Sequence, residues 1–321
     1  MKKIAVLADY LEPSHHALID STAARCGFAV DYYPDCRVPA ELAGTYEVVH
    51  GMPKPGDLKT FTGMKWFCGS FAGVDAYLDD ALYPSPEVML SNSSGAYGVT
   101  IAEHLIMVTL MLLRHADTYL HHADAHRWGP VMPMRSIIGS TITVLGTGDI
   151  GTEFARRAKA MGAKEIRGVR RTKKAADPAF DGVYTHAELD SLLPETDILV
   201  MALPSTADTV GILSRDRIAL LPETAYVVNV GRGTAIDQPA LVEALNAGKL
   251  AGAALDVFEK EPIPAGDPVW DAKDLLITPH ISGQMSLGYT RDKNVALFCE
   301  DLENYAAGRP LKRYVDRKIG Y

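Results

Sequence analysis

The segment that most constrains this chain reads V-L-G-T-G-D-I-G, at residues 144–151. An apolar run at 142–145 leads into it, and a helical stretch at 152–162 follows. Gly146, Gly148 and Gly151 stand at G-x-G-x-x-G spacing. The first lets the chain turn sharply off a strand, the second lets the backbone approach a pyrophosphate, and the third lets the helix pack closely on the strand. N–H groups at the helix start then face an anion, helped by the helix dipole. Glycines so spaced also occur in plain turns. A strand before and a helix after favour a dinucleotide site over an ordinary βα turn.

The chain has 321 residues, enough for two domains, and 47% of them are hydrophobic, which suits well-buried cores. A net charge of −8 argues against a nucleic-acid or membrane-surface binder, yet leaves room for a small anion in a local cationic pocket. Cys26, Cys36, Cys68 and Cys299 form no C-x-x-C pair and show no metal spacing. They read as buried or incidental thiols, and no metal is expected. Asp9 interrupts an N-terminal apolar run that is too short for a signal-peptide core. The most apolar helix, around 101–113, carries Glu103 and His104 and is too short and polar to span a bilayer. A cytoplasmic protein without membrane contact is the expectation.

Strands are expected at 4–8, 28–32, 46–49, 65–68 and 88–91, with a helix at 13–26 and a short one from Val74. Strands alternating with helices argue for a parallel sheet covered on both faces. Gly98 opens a helix expected to run to about His126, apolar on more than one face, so a domain or a second subunit must cover it. A second alternating series follows a Pro-rich connector at 128–133. Its strands are expected at 141–145, 166–169, 198–201, 225–229, 252–256 and 275–278, and its helices near 152–161, 186–193, 215–220 and 238–247. A helical tail spans about 286–308.

In a dinucleotide fold the end of the second strand reads the adenosine ribose, where an acidic residue about 20 positions past the glycines accepts from the 2′-OH of NAD. Here that strand ends I-R-G-V-R-R-T-K-K. Arg170 takes the place of the acid, and Arg171, Thr172, Lys173 and Lys174 follow. A carboxylate repels a 2′-phosphate, whereas guanidinium groups pair with it through charge-assisted hydrogen bonds. NADP(H) is therefore favoured over NAD(H). The plainer alternative is a solvated basic turn.

Three later stretches also end strands: V-N-V-G-R-G-T-A-I-D at 228–237, A-L-D-V-F-E-K-E-P at 254–262 and I-T-P-H-I-S-G at 277–283. They place Arg232, Glu261 and His280 past carboxyl ends of strands, where an open α/β sheet binds its ligands. Singly these are a surface arginine, a solvated acid and a loop histidine. Together, beside a dinucleotide site, they make a catalytic set.

With F-A-G-V-D at 71–75 added, the order and spacing of these motifs resemble the D-isomer-specific 2-hydroxyacid dehydrogenases, over nearly the whole chain. Within that family the chain is similar to NADP-preferring glyoxylate/hydroxypyruvate reductases. The resemblance implies two doubly wound α/β domains with parallel sheets. A Rossmann cofactor domain, 98–282, would be inserted in a discontinuous, flavodoxin-like substrate domain, 1–97 with 283–321. It also implies a homodimer across the long helix.

The roles carried over are those the chemistry needs. His280 would donate a proton to the new alkoxide as general acid. Glu261 would hold its imidazole and balance its charge. Arg232 would bind the substrate carboxylate and polarise the carbonyl, and N–H groups of Phe71, Ala72 and Gly73 would hold the carboxylate's other side. Thr147, Gly148, Asp149 and Ile150 would meet the pyrophosphate. Leu203, Pro204 and Thr209 would line the adenosine and ribose side. Val230, Gly231, Arg232 and Asp256 would lie near the nicotinamide ribose and carboxamide, unless Asp256 is a structural cap. Gly283, beyond His280, would allow close approach to the ring. The substrate would be a small 2-keto or 2-hydroxy acid, in a pocket drawing on 50–53, Phe71 and Met285. An NAD-linked enzyme with another substrate, or a dinucleotide-sensing co-repressor-like protein, remains an alternative.

The arginine argument predicts that Arg170→Asp weakens NADPH binding about 10- to 100-fold more than NADH binding, from the loss of one charged hydrogen-bonding group. Dissociation constants for both dinucleotides check it. An unchanged preference would move the phosphate contact to Arg171 or Lys173.

Overall fold

The structure, a computed structural model, describes residues 1–173 and 177–321. Lys174 of the basic run lies outside the described residues. The chain forms two compact units, Met1–Tyr97 with Gln284–Tyr321, and Gly98–Gly283. The second reaches one residue past the expected 282.

The first unit opens with β1 (Lys2–Leu7), α1 (Pro13–Arg25), β2 (Phe28–Tyr32), α2 (Ala40–Ala43), β3 (Val48–Gly51), β4 (Trp66–Gly69) and β5 (Met89–Ser91). All pairings are parallel, in the order β2-β1-β3-β4-β5, the flavodoxin-like arrangement. The third strand starts and ends two residues later than expected, which carries His50 into the sheet. Past Val74 the chain makes two short 3₁₀ turns, Asp75–Tyr77 and Asp80–Leu82, instead of a regular helix.

The second unit holds α3 (Gly98–Leu113), α4 (Ala116–Asp124), β6 (Thr141–Leu145), α5 (Asp149–Ala160), β7 (Glu165–Arg170), β8 (Gly182–Thr185), α6 (Leu189–Leu192), β9 (Ile198–Met201), α7 (Arg215–Leu220), β10 (Tyr226–Asn229), α8 (Gln238–Asn246), β11 (Gly252–Leu255) and β12 (Leu275–Ile277). Its sheet runs β12-β11-β10-β9-β6-β7-β8, again parallel. Counted from β6, this is the doubly wound dinucleotide order, extended by β12. The half-buried edge strand β8 was not expected from the sequence. The single helix expected over 98–126 is two helices bent by 70°. His115 between them is left-handed, with φ 53°. Its Nε2 donates to the Pro133 carbonyl (2.9 Å), and the Leu113 carbonyl accepts from the Arg135 N–H (3.0 Å), so the returning chain satisfies the interrupted helix end. Buried α3 residues such as Ile101, Leu105 and Leu112 pack within this unit. Among the described residues no single helix is long and apolar enough to cross a membrane.

The chain returns to the first unit through α9 (Gly288–Ala306). Alternation along β1 sends Ile4 and Val6 to one face, against Ile19 of α1 and Phe298 of α9, and Ala5 and Leu7 to the other, against Leu58 and Phe67. His50 is fully buried and stacks on Phe298, with ring centroids 4.0 Å apart. Since a carbonyl can only accept, His50 Nδ1 carries the proton shared with the Cys68 oxygen (3.1 Å). Burial pushes its pKa down from 6.5 to about 4. The folded state thus refuses a proton that the unfolded chain accepts, so the stability contribution of neutral His50 is full above 6.5 and declines as pH falls toward 4, by about 3 kcal/mol over the window. His50→Gln is expected to flatten the pH dependence of the urea midpoint in this range. Parallel profiles for the two proteins would remove His50 as its source.

Candidate active site

In the second sheet the last residues of five strands and the next-to-last residue of β7 fall in one row. Val169 pairs with Leu145, Leu145 with Met201, Met201 with Asn229, Asn229 with Leu255 and Leu255 with Ile277. Every loop carrying a candidate residue of this unit therefore leaves the same edge. The sharp turn after β6 is made by Gly146, at φ 103°. A Cβ on Gly151 would sit 1.9 Å from the Gly146 carbonyl oxygen, so only glycine lets α5 begin this close to the strand. Gly148, by contrast, faces open space.

These residues fit a dinucleotide. The N–H groups at the start of α5 lie beside the exposed backbone of Gly148, and the Thr147 hydroxyl is buried without a hydrogen-bond partner among the described residues. The Asp149 carboxylate is turned to another task, accepting from the Gly98 N–H (2.7 Å) at the start of α3. Ile150 is half-buried in the first turn of α5. Arg170 is the last residue of β7, and Arg171, Thr172 and Lys173 are exposed beyond it. Leu203 is buried and Pro204 exposed. The Thr209 hydroxyl donates to the Pro204 carbonyl (2.7 Å) and accepts from the Thr206 N–H (2.8 Å), so Thr209 shapes the turn on which Leu203 and Pro204 sit.

His280 and Glu261 are directly joined, Nδ1 to Oε2 at 2.7 Å. The other carboxylate oxygen of Glu261 accepts from the Phe258 N–H (2.9 Å), which fixes its orientation. His280 is held at φ 54°, a sparsely populated backbone conformation. The restraint comes from Asp256, which is 2% exposed. Its Oδ1 accepts from Thr278 Oγ1 (2.6 Å) and the Ile281 N–H (2.9 Å), its Oδ2 from the Ser282 N–H (3.0 Å), and its carbonyl from the His280 N–H (2.8 Å). Burial depresses the pKa of His104, close to Thr278, opposed by the negative charge of Asp256.

Arg232 reaches the same edge from β10. Buried Asn229, which sequence reasoning missed, pins its loop: Nδ2 donates to the Arg232 carbonyl and Oδ1 accepts from the Gly231 N–H, both at 2.9 Å. Val230 donates its N–H to Met201 O (3.0 Å). A Cβ on Gly233 would stand 1.9 Å from the Phe258 carbonyl carbon, so glycine there lets the Arg232 and Glu261 loops touch. An amide closing an otherwise apolar strand was the available signal for Asn229. Gly283 is half-buried beyond His280.

In the first unit, the side chains expected to wall a pocket are largely used for packing. His50 lies in the core, and the Phe71 ring stacks on Tyr77 at 4.5 Å. Met285 packs against the cluster around Phe298. What the 71–73 loop offers is backbone: among the described residues nothing accepts from the N–H groups of Phe71, Ala72 and Gly73.

A doubly wound dinucleotide fold with a carboxylate–histidine pair and an arginine at one sheet edge defines a class, the nicotinamide-dependent oxidoreductases. Residues 106–282 match the family model of the D-isomer specific 2-hydroxyacid dehydrogenase, NAD binding domain. Glyoxylate/hydroxypyruvate reductase A of Klebsiella pneumoniae is 32% identical over 257 residues, covering 78% of this chain and 80% of the relative. A D-isomer specific 2-hydroxyacid dehydrogenase family protein from Aeromonas salmonicida superposes with a TM-score of 0.83 at 30% identity, covering 98% of this chain and 99% of the other. The NADPH-dependent glyoxylate/hydroxypyruvate reductase of Sinorhizobium meliloti, solved with NADP and sulfate, superposes at 0.81 with 26% identity, covering 100% of both chains. The chain belongs to the D-isomer specific 2-hydroxyacid dehydrogenase family.

Removing the Asp256 carboxylate strands the donors of Thr278, Ile281 and Ser282, and a buried donor left unmet costs about 1–3 kcal/mol. Asp256→Ala is therefore expected to lower unfolding free energy by about 2–4 kcal/mol and to cut turnover, because His280 loses its restraint. Urea titration and a rate assay check both effects. Wild-type stability and rate in this variant would show that the carboxylate does not hold the loop.

Proposed function

We propose that this chain reduces small 2-keto acids of the glyoxylate and hydroxypyruvate type to D-2-hydroxy acids, with NADPH preferred over NADH. The observation that carries the proposal is the Glu261–His280 pair, 2.7 Å apart, on the sheet edge that also bears the glycine turn and Arg232. Relatives named for this substrate class, one of them solved with NADP, support the substrate choice. Arg170 at the end of β7, where an NAD-specific site has an acid, supports the cofactor choice.

When bound along this edge, the reduced dinucleotide supplies the hydride that the carbonyl carbon receives. Residues 147–151 would hold its pyrophosphate through backbone N–H groups, Arg170 and Arg171 its 2′-phosphate, and residues 230–232 with Gly283 its nicotinamide end, while buried Asp256 serves as the structural cap of the His280 loop. The Arg232 guanidinium binds the keto acid's carboxylate and draws charge onto the carbonyl oxygen. As that oxygen becomes an alkoxide, His280 delivers the proton from Nε2, since Nδ1 is committed to Glu261. The Glu261 carboxylate keeps the imidazolium in place before transfer. N–H groups of residues 71–73 take the substrate carboxylate in the same proposal.

His280→Ala is expected to cut turnover of glyoxylate or hydroxypyruvate about 10²- to 10⁴-fold, while NADPH affinity stays within about twofold, because the pyrophosphate and 2′-phosphate contacts are untouched. Loss of the reduced-nicotinamide absorbance and a dinucleotide titration measure the two quantities. Undiminished turnover sinks the general-acid assignment. A wild-type protein that binds NADPH tightly yet reduces no 2-keto acid favours a dinucleotide-sensing role.

A further inference from the structure

The reaction assigns no task to the side chains of residues 92–97, yet they hold one stretch of backbone completely. Four successive carbonyls, from Gly69 to Ala72, each accept a hydrogen bond from that segment. Ser93 Oγ donates to Gly69 O (2.9 Å), and Tyr97 Oη to Ser70 O. The Ser93 N–H donates to Phe71 O (2.9 Å), and Asn92 Nδ2 to Ala72 O (2.7 Å). Asn92 Oδ1 accepts in turn from the Ser94 N–H (3.2 Å), which fixes the amide's direction.

A trans peptide is planar, and its N–H points opposite to its carbonyl. The carbonyls of Ser70, Phe71 and Ala72 share peptide planes with the N–H groups of Phe71, Ala72 and Gly73. Clamping the first three toward 92–97 turns the second three away from it together. None of the three has an acceptor among the described residues. Successive N–H groups aimed one way make an anion-binding concavity.

The clamp is itself braced from behind by α9 and the loop after β1. Buried Asn294 donates from Nδ2 to Ser93 Oγ (2.6 Å), so the serine hydroxyl accepts once and donates its own hydrogen bond to the Gly69 carbonyl. The Tyr10 hydroxyl lies 2.7 Å from both Asn294 Oδ1 and Ser70 Oγ. Ser93, Asn294 and Tyr10 are all buried.

We propose that Asn92, Ser93 and Tyr97 are positioning residues that preorient the Phe71, Ala72 and Gly73 N–H groups for a carboxylate. Asn92 sets the Gly73 N–H through the Ala72 peptide, and Tyr97 sets the Phe71 N–H through the Ser70 peptide. The inference rests on the 2-keto acid reading above and extends it to how the acid group is told from a neutral one.

The test uses Asn92→Ala and Tyr97→Phe, the second removing one hydroxyl only. Glyoxylate is compared with its uncharged amide as substrate, and oxalate binding is measured by calorimetry on the NADPH complex. Both variants are expected to lose about tenfold of the preference for glyoxylate over the amide, mainly in KM, and to bind oxalate about tenfold more weakly, with the KM for NADPH unchanged. Equal losses on both substrates, or wild-type oxalate affinity in both variants, would overturn the inference, since a purely structural role moves the two substrates together. Wild-type protein that fails to bind oxalate overturns it as well. Wild-type protein that binds oxalate more tightly than the variants, yet reduces no 2-keto acid, leaves the positioning intact and removes the reaction instead.

Discussion

The second unit depends on one constraint, the parallel register that ends six strands within one residue of a single row. Parallel pairing forces each connection to cross back before the next strand begins, so all the loops that follow strands gather at one edge. That edge turns sequence-distant segments into neighbours. It is fixed by buried polar groups where apolar strands end. Asn229 closes the Arg232 loop on itself, and Asp256 gathers the backbone of the His280 loop from the adjacent strand end. Each is buried and satisfied, as such groups must be.

Much of this was readable beforehand for a physical reason. A strand that ends in glycines, an arginine or a histidine breaks an apolar run, and the break is local in sequence. The glycine turn, Arg170, Arg232, Glu261 and His280 all announce themselves this way. The partners that orient them do not. Asp256 meets Ile281 and Ser282, 25 and 26 residues onward, and Asp149 caps α3 from 51 residues away. No window of sequence contains both halves of such a bond.

The misplaced elements have equally specific causes. His50 belongs to the core because β3 runs two residues further than its apolar residues suggested, and stacking on Phe298 replaces the hydration of the neutral ring. The helix break at His115 carries neither glycine nor proline. It is stabilised by the returning chain at Pro133 and Arg135, a tertiary contact that overrides local propensity. β8 is short and half-buried at a sheet edge, so its pattern barely differs from that of a loop.

A net charge of −8 sets a further condition on the proposed reaction, because both of its ligands are anions. At physiological ionic strength, interactions between exposed charges are largely screened beyond about 8 Å. The overall charge therefore opposes approach only weakly, and recognition must come from groups within hydrogen-bonding reach. Few cations are needed if they sit at or just past strand ends, as Arg170 and Arg232 do. Backbone N–H groups supply the rest without adding a long flexible side chain to immobilise. Such donors discriminate only if their direction is set beforehand, and in this chain that is done from behind, at α5 by its packing on the Gly146 turn and at residues 71–73 by carbonyls already committed elsewhere. In the proposed reaction, selectivity for an anion then lies in neutral residues such as Asn92 and Tyr97 as much as in the arginines.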